Sequence, residues 1–157
     1  MALGSVAKSH NQGAHMSEEN KAVARRFIEE VWNNGNLDAI DELIAENHVD
    51  HDPAQAGSPG GSQGVRAFVE MYRTAYPDTR LAIGEMTAEG DLVAMTWTAT
   101  GTHQGELMGI APTGRSVTVT GMGVDRISRG QIVESWANYD ALGMLAQLGA
   151  IPAPASA

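Results

Sequence analysis

The stretch SVTVTGMGVDRISRGQIVESWANY, residues 116–139, decides the fold. Apolar and polar residues alternate along residues 116–127, which is the pattern of a strand with one buried face, and residues 131–139 are predicted to be another strand. Between the two runs lie Ser128, Arg129 and Gly130, a group typical of a tight turn. The stretch is therefore predicted to form an antiparallel hairpin.

Further strands are predicted upstream of this hairpin. Residues 79–87 alternate in the same way, and residues 92–101 are rich in the Thr, Val and Trp residues that strands favour. Residues 88–91 are the turn between them. A glycine-rich loop, residues 101–114, leads to the hairpin, and its low apolar content is typical of a mobile lid.

The rest of the chain is predicted to be mainly helical. Apolar residues recur at helical spacing in four segments, residues 17–33, 37–44, 64–75 and 140–148. Ser17 and Asp140 are the expected N-caps of the first and last helices. Residues 45–64 are predicted to be a polar segment followed by a Gly/Ser/Pro-rich loop. Helices followed by antiparallel strands are typical of the α+β class. We therefore predict a curved antiparallel sheet wrapped around the N-terminal helices, a cone that encloses a ligand pocket.

Composition narrows the possible functions. The chain has 157 residues, 43% of them hydrophobic, which suits one domain with a substantial core. It contains no cysteine, which excludes disulfides and thiolate metal sites. A net charge of −9 disfavours a nucleic-acid partner, and no apolar run approaches the length of a membrane span. We expect a cytoplasmic protein whose partner is a hydrophobic small molecule.

Both ends of the chain are predicted to lie outside the folded domain. Residues 1–16 are rich in Gly, Ser, Ala and His, show no periodicity and precede a second Met. They are interpreted as an expression tag or a disordered tail. Residues 17–150 are predicted to be the domain, and the Pro/Ala-rich residues 151–157 a frayed tail.

Four motifs carry a resemblance to a known family. They read VWNNGNLD at residues 31–38, GTHQGELMGIAPTGR at 101–115, RISRGQIV at 126–133 and WANYDALGMLAQLG at 136–149. In this order and spacing, the chain resembles the SnoaL-like polyketide cyclases over residues 18–149. The resemblance implies an α+β barrel of the kind shared with ketosteroid isomerase and nuclear transport factor 2. It also implies a homodimer, and ring closure in antibiotic biosynthesis with neither cofactor nor metal.

The chain departs from this family where the aldol cyclases place their catalytic groups. Ala137 stands where they have an Asp, and Ser135 where they often have a His. Gly121 and Gly123 match two polar pocket positions on the neighbouring strand. These replacements predict a wider and less ionisable cavity, since Ala cannot transfer a proton.

Three functional hypotheses follow. The first is a cyclase that works by shape, for example through a pericyclic, Diels–Alder-type closure. The second is an acid/base isomerase or an epoxide-handling enzyme. The third is a binding protein without turnover.

The candidate catalytic residues are His51, His103 and Asp125. His51, with Asp50, belongs to a polar cluster at residues 48–52 that the resemblance places beside the cavity; capping of a turn is favoured there over a metal site. His103 is either an acid/base group or a histidine that orders its own loop. Asp125 is in phase with the pocket glycines, or it is an exposed strand-end residue. The candidate substrate-binding residues are Tyr72, Met95, Trp97, Gly121, Met122, Gly123, Ser135 and Ala137.

Overall fold

The fold begins with one long helix that changes its winding. The computed structural model describes residues 3–52 and 57–152. Helix α1, Leu3–Arg26, continues directly into a π-helix, π1, Phe27–Asn33. The predicted start at Ser17 is wrong, because residues 3–16 contain no proline and extend the same helix. Whether residues 1–16 are an added tag stays a prediction.

Three shorter helices follow in the part of the chain that the structure describes. They are α2, Ala39–Leu43, α3, Gly61–Ala75, and α4, Ala141–Leu148. Asp140 caps α4, since its side chain accepts a hydrogen bond from the backbone N–H of Gly143, as predicted. Within the described ranges, no helix is both long and apolar enough to span a membrane.

Five strands among the described residues form one open, curved sheet. They are β1, Ile44–Asp50, β2, Arg80–Glu89, β3, Leu92–Thr102, β4, Ser116–Ser128, and β5, Gln131–Tyr139. Their order in the sheet is β1-β5-β4-β3-β2. Shifts in register interrupt the β1–β5, β2–β3 and β4–β5 pairings, and irregularities of this kind bend a sheet. The α+β class and the predicted hairpin are confirmed.

Strand β1 is the main difference from the predicted fold. It pairs parallel with β5, so the sheet is mixed rather than purely antiparallel. Residues 45–64 were predicted to be a polar segment followed by a loop. Its burial does not alternate, because Ile44 and Ala45 are both buried and the next two residues are both exposed. The pattern of a half-buried strand is therefore missing from the sequence.

The main hydrophobic core lies between the inner face of the sheet and the helices. The largest fully buried members include Val31, Ile40, Leu43, Val69, Val93 and Ile132. A second cluster, which includes Tyr76, Leu107 and Met144, joins the end of α3 to α4 and the loop before β4. Members of both clusters line a cavity.

Candidate active site

An apolar cavity lies on the inner face of the sheet, closed by π1 and α3. Its volume is about 180 Å³. A dry cavity of about 150 Å³ can already hold benzene, so one ring of a substrate fits. The apolar lining consists mainly of Phe27, Ile28, Trp32, Ile44, Val65, Phe68, Leu81, Met95, Trp97, Val117, Val119 and Met144. Six of the predicted substrate-binding residues line the cavity: Tyr72, Met95, Trp97, Gly123, Ser135 and Ala137.

Asp125 brings a carboxylate into this cavity. It is buried, and it pairs across the β4–β5 ladder with Ser135. The Ser135 hydroxyl donates a hydrogen bond of 2.7 Å to Asp125 Oδ1, which leaves Oδ2 as the oxygen for a ligand. Burial raises the pKa of Asp125 to about 6, against the lowering effect of the Ser135 hydrogen bond. Asp125 therefore supplies an ionisable group in the same cavity that Gly123 and Ala137 line.

His48 extends this arrangement onto strand β1. Its Nε2 lies 3.0 Å from Ser135 Oγ, and its side chain is buried in the cavity wall. Burial lowers the pKa of His48, which favours the neutral ring. Its Nδ1 is buried without a hydrogen-bond partner among the described residues.

Tyrosine hydroxyls supply a second polar region of the cavity. Tyr72 Oη and Tyr139 Oη lie 2.8 Å apart, and both residues line the cavity. Burial, followed by the hydrogen bond to Tyr139, raises the pKa of Tyr72. The Tyr72 phenol therefore stays protonated at neutral pH. Since one hydroxyl donates to the other, the second keeps a proton to donate to a carbonyl oxygen of a ligand.

His51 lies on the opposite side of the sheet from the cavity. Its ring stacks on Trp136 at 4.8 Å between ring centroids, and its Nε2 contacts Glu134 Oε1 at 2.8 Å. Arg126 donates to the other oxygen of Glu134 at 2.9 Å. The hydrogen bonds from His51 and then Arg126 lower the pKa of Glu134. His51 is part of an outer polar network, so its assignment to the pocket is wrong. The side chains of His48 and His51 point to different faces, which argues against a shared metal site in this segment.

His103 is buried in its own loop and does not line the cavity. Its Nδ1 accepts a hydrogen bond of 3.2 Å from the backbone N–H of Thr113, ten positions further along the loop. Its backbone also bonds to Arg115 and Gly114. The histidine that orders its own loop is therefore the interpretation that the geometry favours. These bonds join the two ends of the loop, and its action as a mobile lid stays a prediction.

Two of the expected pocket positions on β4 do not line the cavity. Gly121 is covered by the indole of Trp97, the residue opposite it on β3. Met122 points to the outer face and is 62% exposed. Gly123 lines the cavity beside Ala137, as expected. Trp97 thus fills the space beside Gly121, whereas Gly123 borders the cavity.

Comparison with known proteins places this geometry in a family. The SnoaL-like polyketide cyclase family profile matches residues 22–148. The chain belongs to the SnoaL-like polyketide cyclase family. No curated protein matches it significantly.

Several solved structures are similar to the chain. IdmH from Streptomyces antibioticus, described as a candidate polyketide cyclase, is 35% identical, with a TM-score of 0.73 over 83% of this chain and 98% of its own. A candidate polyketide cyclase from Acidithiobacillus ferrooxidans is 31% identical, with a TM-score of 0.76 over 84% and 95% of the two chains. AclR from Streptomyces galilaeus, described as a candidate hydroxylase, is 29% identical, with a TM-score of 0.78 over 89% and 87%.

His48 was not among the predicted site residues. It is 87 positions away from Ser135, and only the parallel pairing of β1 with β5 brings the two together. One signal was available: His48 shares the phase of Asp50 in a polar segment that the family resemblance placed beside the cavity.

Proposed function

We propose that the protein is an acid/base cyclase that closes a ring on a hydrophobic, polyketide-type ketone, with Asp125 as the proton-transfer group. The observation that carries this proposal is the Asp125 carboxylate, buried in an apolar cavity with one oxygen bound by Ser135. Asp125 takes over the role that Ala137 cannot perform.

The chemistry follows from the environment of this carboxylate. A general base works best when its pKa lies near the working pH, and burial brings the pKa of Asp125 to about 6. Asp125 Oδ2 removes a proton from the carbon next to a ketone. The resulting enolate carbon forms a bond to a second carbonyl carbon of the same molecule. The alkoxide that this bond produces then takes the proton back from Asp125.

Shape-controlled ring closure is the second candidate function. It is favoured by Gly123 on β4 and Ala137 on β5, which are paired across the sheet and line the cavity. A hydrogen atom and a methyl group at these positions leave room for a substrate. In this case the cavity folds a flexible chain into a reactive conformation, and proximity alone lowers the barrier.

The test uses a simple ketone as a probe. 2-Tetralone is apolar and ring-sized, and exchange of its C1 protons for deuterium is followed by proton NMR. We expect Asp125→Asn to slow protein-catalysed exchange at least about 100-fold. Asp41→Asn, the same substitution at an exposed position, is the control. Full exchange activity in Asp125→Asn contradicts the acid/base role. Binding of 2-tetralone without catalysed exchange by the unchanged protein favours the shape-controlled function or a binding protein.

The assembly is a separate proposal. The family resemblance implies a homodimer formed through the outer face of the sheet, where Met122 is exposed. Light scattering coupled to size exclusion tests it, with Met122→Glu expected to shift the population toward monomers.

A further inference from the structure

Three adjacent strands each contribute one residue to a continuous hydrogen-bonded row. Asp125 comes from β4, Ser135 from β5 and His48 from β1. The contacts measure 2.7 Å from Ser135 Oγ to Asp125 Oδ1 and 3.0 Å from His48 Nε2 to Ser135 Oγ. His48 does not contact Asp125 itself, so any effect of His48 on the carboxylate passes through the serine.

The Ser135 hydroxyl has a single proton, so it can donate only one of the two hydrogen bonds in this row. Which one it donates sets the direction of both bonds. When Asp125 is ionised, it can only accept, so Ser135 donates its proton to Oδ1. Ser135 Oγ then accepts from His48, which requires a proton on Nε2. The neutral ring therefore carries no proton on Nδ1.

The opposite direction is costly in this structure. It places a proton on His48 Nδ1, which is buried without a partner among the described residues. An unpaired buried N–H donor loses its hydration without compensation. The row is therefore biased toward one direction, in which Ser135 points at Asp125 Oδ1.

We propose that His48 is a positioning residue that holds the Ser135 hydroxyl on Asp125 Oδ1, so that Oδ2 alone exchanges protons with the substrate. This proposal rests on the proposed function of Asp125. It assigns to His48 the alignment of the carboxylate rather than contact with the substrate.

The charged groups around the row are Asp50 and His51 on β1 and its extension, and Glu134 on β5. Asp50 acts on both His48 and Asp125, whereas His51 and Glu134 act on His48 from the outer face. Asp52 also borders the cavity. All four are left unchanged in the variants below, so their contribution is constant across the comparison.

The first experiment follows the carboxyl carbon of Asp125 by ¹³C NMR during a pH titration, without substrate. Ser135→Ala removes a hydrogen bond to the carboxylate and is expected to raise the Asp125 midpoint by about one pH unit. His48→Met is expected to raise it by a smaller amount, and His48→Gln, whose amide can donate to Ser135, to restore it. In the Ser135→Ala background, His48→Met should add no further shift. An equal shift from His48→Met with and without Ser135 overturns the proposal.

The second experiment uses the unchanged protein and does not depend on how any variant folds. Two-bond ¹⁵N correlations of the histidine rings identify which nitrogen carries the proton. We expect the Nε2–H form for His48 at about pH 7 to 8, where Asp125 is ionised. A Nδ1–H form or a doubly protonated ring overturns the proposal. Neither measurement involves turnover, so a correct row with no exchange of 2-tetralone refutes the proposed function and leaves the positioning role intact.

Discussion

Replacing Gly121 with alanine tests the close contact between this glycine and Trp97. A Cβ at position 121 would lie 2.2 Å from Cζ2 and 2.5 Å from Cη2 of the indole. Carbon atoms normally approach to about 3.5 Å, so the ring must retreat by roughly 1 Å or more. The indole borders the cavity on one side and the Tyr139 ring, at 6.5 Å between centroids, on another. The retreat therefore narrows the cavity or disturbs the tyrosine pair.

The expected cost of this change is that of overpacking, about 1–3 kcal/mol of unfolding free energy. For a domain of this size, that lowers Tm by about 2–12 °C. Gly123→Ala is the matched control, since its Cβ would meet only the carbonyl oxygen of Trp136 at 3.1 Å and the Cβ of Ala137 at 3.9 Å. Alanine also loses less backbone entropy than glycine on folding, so Gly123→Ala should be close to neutral. Urea and thermal denaturation of both variants measure the difference. If Gly121→Ala is as stable as Gly123→Ala, the contact with Trp97 does not constrain position 121.

Three further predictions concern Asp125, the tyrosine pair and the cap of α4. The pKa of Asp125 is about 6 in the folded protein against an ordinary 3.8, so the folded protein binds the proton more tightly than the unfolded chain. The free energy of unfolding that this proton contributes is present below about pH 4 and is lost as the pH rises through about 6. Asp125→Asn should therefore be more stable than the unchanged protein at about pH 8, by up to about 3 kcal/mol, and show no such gain near pH 3 in urea denaturation; equal stability gains at both pH values would contradict the assignment. Tyr139→Phe leaves the Tyr72 hydroxyl unpaired and should cost about 1–2 kcal/mol in the same assay, whereas adding Tyr72→Phe should cost little more; additive losses would show that the hydroxyls are not coupled. Asp140→Ala removes the N-cap of α4 and should cost about 1 kcal/mol, while Asp140→Asn, which can still accept from Gly143, should retain most of it; equal losses would mean that the charge and not the cap matters.

Local patterns were sufficient to predict most of the fold. Residues 131–139 were predicted to be a strand between the turn at residues 128–130 and the helix cap at Asp140, and β5 has these bounds. Helices α3 and α4 were predicted within a few residues because apolar residues recur at helical spacing in both. β1 was missed because its burial does not alternate and its partner strand is far away in sequence. Tertiary pairing, rather than local preference, makes residues 44–50 a strand.

The candidate site was predictable only in part. Strand phase placed Asp125, Ser135 and Ala137 on one face, and the cavity contains all three. The phase of a strand shows which face a residue is on, but not whether a neighbouring side chain occupies the space beside a glycine. The contact of the Trp97 indole with Gly121 was therefore not predicted. His51 and His103 were candidates by residue type, yet each has a partner elsewhere: Trp136 and Glu134 for His51, and Thr113 for His103.

The row of His48, Ser135 and Asp125 also has a consequence for folding. Its members come from the edge strand β1 and from two strands near the end of the chain, so closing the row requires a loop of 87 residues to be brought together. Contacts of such long sequence separation carry a large entropic cost and form slowly. A nascent chain whose β5 has not yet left the ribosome can form the hairpin of β2 and β3 and the helices that precede it. Ser135 cannot yet align the Asp125 carboxylate in such a chain. Proton-transfer activity should therefore appear after helical structure during refolding, and its recovery would report when the two halves of the chain have joined.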